Sequence, residues 1–256
     1  MWSPDQVSAR WQKSRCPPAV SGPLSDASHY RLVGIPAGPE TLEGSLNVPG
    51  QAQGIVLFAH GSGSSRHSPR NRYVASVLQG AGFATLLTDL LTAAEEAVDA
   101  RTRHLRFDIA LLARRLSAAT DWIMQEVQTR SLRIGYFGAS TGAAAALVAA
   151  AERPDIVGAI ASRGGRPDLA QPALTRVRAP TLLIVGGNDV PVIAMNREAL
   201  AQLGVEKDLA IIPGASHLFE EPGALEEVAR LAVAWFTRHL GRSGHSVPRR
   251  HSPPVA

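Results

Sequence analysis

Gly138-Ala139-Ser140-Thr141-Gly142 is a G-x-S-x-G pentapeptide set between an apolar run, Leu132–Phe137, and an alanine-rich segment, Ala143–Ala151. In a strand–turn–helix setting this pattern exposes a serine hydroxyl above a sheet, with the free N–H groups of a helix start behind it. A serine is inert until a base takes its proton and a carboxylate orients that base. Downstream, the run Leu182–Val185 ends in Gly186-Gly187-Asn188-Asp189, and Leu209–Ile212 ends in Pro213-Gly214-Ala215-Ser216-His217. With each run a strand, Asp189 and His217 lie just past the carboxyl ends, at the edge that carries Ser140. The order Ser, acid, His is the one such sheets use. Each residue has a plainer reading alone: a Gly-rich turn, a helix N-cap, a loop histidine. Together they point to Ser140 as nucleophile, His217 as base and Asp189 as the carboxylate that orients it.

A tetrahedral intermediate needs two N–H donors for its oxyanion. Thr141, the residue after the nucleophile, is one. The other is expected on the loop after Ile55–Ala59, which reads His60-Gly61-Ser62-Gly63-Ser64-Ser65. Ser62 is assigned that role through its backbone N–H. A phosphate-cradling loop is the rival, but the G-K-[ST] ending of a P-loop is missing. His60 is a candidate substrate contact or a brace for the loop. Arg163 and Arg166 follow the run Val157–Ala161 in a Gly-rich loop. They are candidates for a bidentate grip on an anionic substrate group, or ordinary salt-bridged arginines. Glu95, Glu96 and Asp99 read as a solvated loop, because no His or Asp lies at ligand spacing for a metal.

The elements that must hold these residues alternate along the chain. Apolar runs occur at 30–35, 42–48, 55–59, 83–88, 132–137, 157–161, 182–185 and 209–212. From Ile55 onward they are almost continuously hydrophobic, as parallel strands covered on both faces are. Leu42, Gly44, Leu46 and Val48 alternate with polar neighbours, which predicts an antiparallel edge strand. Helical stretches are expected at 71–79, 107–126, 141–151, 190–203 and 222–240. In the last, Leu225, Val228, Ala232, Trp235 and Phe236 form one stripe, and Pro222 suits the first turn. The class is α/β: a mostly parallel eight-stranded sheet, helices on both faces, right-handed crossovers and no large cap. Gly164–Val177 is the longest spare segment expected at the carboxyl edge.

Composition bounds the rest. Of 256 residues 45% are hydrophobic and 19% charged, enough to bury a core. Lys plus Arg is 26 against 22 for Asp plus Glu, and the positives are scattered, so no nucleic-acid-binding stripe exists. The single cysteine, Cys16, excludes an intramolecular disulfide and any multi-cysteine metal site. No apolar run approaches the roughly 18 residues of a membrane span, and residues 1–18 hold no continuous apolar core of the kind expected of a secretion signal. Residues 1–28 are expected to be an N-terminal extension, 29–240 one domain, and 241–256 a basic disordered tail. The expectation is a cytoplasmic monomer or homodimer that needs no metal and no organic cofactor.

The elbow around Ser140, the His60-Gly61-Ser62-Gly63 loop, the Asp189 loop and Gly214-Ala215-Ser216-His217-Leu218-Phe219 resemble the α/β-hydrolase superfamily. More narrowly they are similar to its dienelactone-hydrolase-like branch. The stretches 162–168 and 217–223 resemble a bacterial subgroup sometimes fused to a phosphoribosyltransferase domain. The resemblance covers residues 30–240 and implies the α/β-hydrolase fold and an esterase-like hydrolase of a small ester or lactone. True dienelactone hydrolases carry a cysteine nucleophile, whereas this elbow holds Ser140, a departure that leaves the resemblance implying an esterase-like hydrolase without implying dienelactone as the substrate. A thioesterase, amidase or peptidase with the same triad, and a non-catalytic binding protein of the same fold, are the alternatives.

Overall fold

The computed structural model describes residues 30–241. The N-terminal extension, Cys16 and the basic tail beyond Gly241 lie outside them. Eight strands form one sheet: β1 (Arg31–Ala37), β2 (Glu40–Asn47), β3 (Ile55–Ala59), β4 (Ala84–Thr88), β5 (Ile134–Ala139), β6 (Val157–Arg163), β7 (Thr181–Gly186) and β8 (Lys207–Ile212). Their order is β1-β2-β4-β3-β5-β6-β7-β8. From β4 across to β8 every neighbour is parallel. β2 pairs antiparallel with both β1 and β4. The alternating strand is therefore antiparallel as its pattern implies, but it is interior; β1 takes the edge.

Parallel strands must be buried on both faces, and β3 shows how this is met. Ile55, Leu57 and Ala59 pack into one core, whereas Val56 and Phe58 enter the other. On the second face lie α1 (Pro69–Gly80) and α6 (Ala224–Leu240), the latter through Val228, Ala232, Trp235 and Phe236. The expected stripe is thus correct, but α6 begins after Gly223, so Pro222 precedes the helix rather than filling its first turn. The first face carries α3 (Ile109–Gln125), α4 (Thr141–Glu152) and α5 (Val190–Gln202).

Two segments differ from expectation. Residues 93–102 form a helix, α2 (Ala93–Thr102), not a solvated loop. Thr92 Oγ1 accepts the Glu95 N–H at 3.2 Å and Glu95 Oε2 accepts the Thr92 N–H at 2.8 Å, a reciprocal capping box. Asp99 is buried, and Glu95 pairs with Arg115 at 2.8 Å. The stretch from Asp89 to Asp108 is consequently the larger excursion at the carboxyl edge. Gly164–Val177 is instead taken up by two short 3-10 turns with buried alanines and Leu174. Among the described residues no helix is long and apolar enough to cross a membrane, and no cluster of three His, Cys, Asp or Glu is arranged to hold a metal.

Strand order reverses beside β3. The crossover from β3 leads to β4 on one side, and β5 pairs with β3 on the other. The loops that leave β3 and β5 therefore diverge at their carboxyl ends and open a crevice, where open α/β sheets place ligands.

Candidate active site

Ser140 sits at the tip of the β5–α4 turn with φ 50° and ψ −121°. A non-glycine residue in that region carries strain on the order of 1–3 kcal/mol, which the surroundings must hold in place. They do so from two sides. The Ser140 N–H donates to the Arg163 carbonyl at 3.2 Å, and the Ser140 carbonyl accepts the Arg166 N–H at 3.1 Å. Small residues let α4 leave the turn so steeply: a Cβ on Gly142 would lie 2.1 Å from the Ala59 carbonyl oxygen, and one on Gly138 would lie 2.4 Å from Ala143 Cα.

Asp189 follows β7 and His217 follows β8. His217 Nδ1 and Asp189 Oδ2 are 2.6 Å apart. With Nδ1–H donating to the carboxylate, Nε2 is left as the lone pair of the ring. The carboxylate is the more enclosed partner, its side chain 13% exposed against 40% for the imidazole. Gly164, next to the residue that anchors Ser140, packs on this ring: a Cβ there would be 3.4 Å from Nδ1. Ser140 and His217 are not hydrogen-bonded to each other, a contact that apo sites commonly make only with substrate present.

Thr141 opens α4, so its N–H has no acceptor inside the helix. The Ser62 N–H likewise donates to no backbone carbonyl among the described residues. Their side chains hold the two together: Ser62 Oγ and Thr141 Oγ1 lie 3.0 Å apart. Sequence reasoning used only the backbone of these two residues and missed that their hydroxyls link the loop to the elbow.

His60 is buried and both ring nitrogens are engaged. Nδ1 donates to the Gly61 carbonyl at 3.0 Å, and Nε2 accepts the Leu90 N–H at 3.0 Å. Burial pushes its pKa down, with the Gly61 carbonyl and Asp89 opposing. It braces the loop against the end of β4 and has no nitrogen left for a substrate. A second brace went unnoticed in the sequence. Arg66 gives its N–H to Asp89 Oδ1 at 2.6 Å, and its guanidinium pairs with Asp89 and, at 2.5 Å, with Glu43.

Of the two arginines singled out in the sequence, Arg163 ends β6 and Arg166 lies in the loop that follows it. Arg166 grips Asp168, with Nη2 to Oδ2 at 2.8 Å. Arg163 is 9% exposed and donates to Asn71 Oδ1 at 3.3 Å. Its Nε and Nη1 are buried without an acceptor among the described residues. Burial, with Arg70 alongside, lowers its pKa to about 10, so it stays charged at neutral pH. Neither arginine lines the cavity of about 290 Å³ that opens against Ser62 and Thr141. A larger depression, about 630 Å³, lies by Arg153 and Asp155 at the amino end of β6, the wrong edge for this chemistry.

Residues 42–239 match the model of the dienelactone hydrolase family. A dienelactone hydrolase from Anabaena variabilis is 66% identical, with a TM-score of 0.81 over 82% of this chain and 98% of that one. A Mycobacterium tuberculosis protein provisionally named a phosphoribosyl transferase is 57% identical over 228 residues, which are 89% of this chain and 50% of that protein. The chain thus spans about half the length of the curated relatives it matches. An α/β serine hydrolase without lid from Xanthomonas campestris shares the fold at 18% identity, TM-score 0.66, covering 83% of this chain and 95% of its own. With a family model matched along most of its length and a structural relative at this identity, the chain belongs to the dienelactone hydrolase family.

Proposed function

We propose that the protein is a serine hydrolase that cleaves a carboxylester or lactone bond of a small substrate through an acyl-enzyme. The observation that carries this reading is the 2.6 Å His217–Asp189 contact at the same sheet edge as a backbone-strained, half-buried serine at the tip of the β5–α4 turn. Membership of a hydrolase family supports it. His217 Nε2 takes the Ser140 proton as Oγ attacks the carbonyl carbon. The Thr141 and Ser62 N–H groups receive the oxyanion, and the imidazolium formed is stabilised by Asp189. His217 then returns the proton to the leaving oxygen. Water, deprotonated by the same nitrogen, attacks the acyl-enzyme, and as the acyl C–O bond breaks His217 passes that proton to Ser140 Oγ, releasing the acid and restoring the serine. No step calls on a metal or an organic cofactor.

A panel of small acyl esters and lactones, with thioesters and amides of equal size beside them, tests the reading. Turnover of an ester or lactone is expected, with a loss of about 10⁴-fold or more in Ser140→Ala at an unchanged melting temperature. Wild-type rates in that variant would refute the serine mechanism. Faster turnover of the thioesters or amides would move the bond class.

A further inference from the structure

The cavity beside the oxyanion loop has a lining that the hydrolytic machinery does not use. Its polar wall is Ser62, Ser64, Glu96 and Arg106, and Leu91 and Leu112 supply an apolar one. Arg106 is held rigidly: Nε meets Asp99 Oδ2 at 2.5 Å, Nη2 meets the Asp99 carbonyl at 3.3 Å, and its own N–H meets Asp99 Oδ1 at 3.1 Å. Its carbonyl also accepts from Ser62 Oγ at 3.5 Å, tying it to the loop. Nη1 is the nitrogen left over. It points past Gly63, where a Cβ would come within 3.4 Å of it, and it bonds to nothing among the described residues.

Glu96, four residues into α2, makes no ion pair among the described residues, unlike its neighbour Glu95. Partial desolvation of its carboxyl, then Asp89, raises its pKa, with Arg66 and Arg106 opposing, although the residue as a whole is exposed. The cavity thus presents one fixed free donor, one free carboxyl acceptor and hydroxyls over an apolar wall. The charges around it are three acids, Asp89, Asp99 and Glu96, against two cations, Arg66 and Arg106. A carboxylate ligand would meet that surplus of acid, and an ammonium would face the guanidinium. A hydroxyl fits both free groups, because one oxygen accepts from a guanidinium while its proton goes to a carboxyl. The C–H face of a polyol suits Leu91 and Leu112. A volume of about 290 Å³ is at the small end of ligand pockets, which suits a single ring.

We propose that this cavity is a subsite for the hydroxyl-bearing part of a neutral polyol or single-sugar ester, read by Arg106 Nη1 and the Glu96 carboxyl. The proposal rests on the serine-hydrolase reading and narrows its substrate class. Arg106 and Glu96 then determine specificity, and the acidic-substrate idea attached to Arg163 gives way to a neutral one.

The test compares kcat/KM for three acetyl esters of one ring size: a monoacetylated methyl pentoside, cyclohexyl acetate, and the acetylated uronate. The full chain should prefer the pentoside over cyclohexyl acetate by about tenfold or more, since hydrogen bonds to charged groups discriminate at that level. It should also prefer the pentoside over the uronate. Glu96→Gln and Arg106→Met should each lower the pentoside-to-cyclohexyl ratio severalfold. Glu96 is exposed, so its variant keeps the test decisive should loss of the Arg106–Asp99 contacts unfold the other. A wild-type ratio near one, a preference for the uronate, or an unchanged ratio in Glu96→Gln would overturn the subsite. If cyclohexyl acetate is still cleaved through Ser140 in that event, only the subsite falls; if none of the three is cleaved, the hydrolase reading falls with it.

Discussion

His60 shows how a residue type that suggests catalysis can serve the scaffold. Its Nε2 must stay unprotonated to accept the Leu90 N–H, and burial lowers its pKa in the folded protein. The unfolded chain titrates near 6.5, so between that value and the lower folded one the unfolded state binds more protons. Stability is therefore complete at neutral pH and lost as pH falls below about 6.5. Urea midpoints measured from pH 7 to pH 5 should show this decline, and His60→Gln should flatten it while being less stable at pH 7. His239, also lowered by burial, contributes with the same sign, so the flattening is partial. An unchanged slope in His60→Gln would mean that the ring does not hold the loop as described. Arg163 makes the same point differently. Its place at the carboxyl end of β6 was readable, but its burial and its contact with Asn71 of α1 were not, because they depend on a helix 92 residues away in the chain.

At the scale of elements, the chain announced its strands by long apolar runs, and every one of the eight appears within a few residues of its run. The stripe of α6 was equally plain. α2 was not, because Ala93–Thr102 carries no large apolar stripe and only Asp99 is buried. Its start was legible all the same in Thr92-Ala93-Ala94-Glu95, a capping-box pattern. The reach of Glu95 was not, since that depends on Arg115 of α3, which is itself buried and donates to the Ala37 carbonyl at 2.8 Å. Removing the Glu95 carboxylate takes away a cap and leaves a buried guanidinium short of an acceptor. Glu95→Ala should cost about 2 kcal/mol by chemical denaturation, whereas Glu96→Ala one residue on should stay within about 0.5 kcal/mol. Equal, small effects would show that α2 is held by something other than this link.

The whole molecule is organised around the reversal of strand order at β3 and β5, and that placement made the candidate site readable from the chain. Parallel strands end at one edge, so residues just past Ala139, Gly186 and Ile212 had to converge there. The excursion carrying α2 and Arg106 escaped notice because its contribution is tertiary: a backbone carbonyl on Ser62 and one free nitrogen facing Gly63. The central claim is that Ser140 is a nucleophile activated by His217, and covalent labelling tests it without knowledge of the natural substrate. The purified protein is treated with a fluorophosphonate and the modified residue is located by peptide mass spectrometry. One label per chain is predicted, on Ser140, with labelling sharply slowed in His217→Ala and absent in Ser140→Ala. A label on another serine such as Ser62, or none on a protein that is folded, would contradict it.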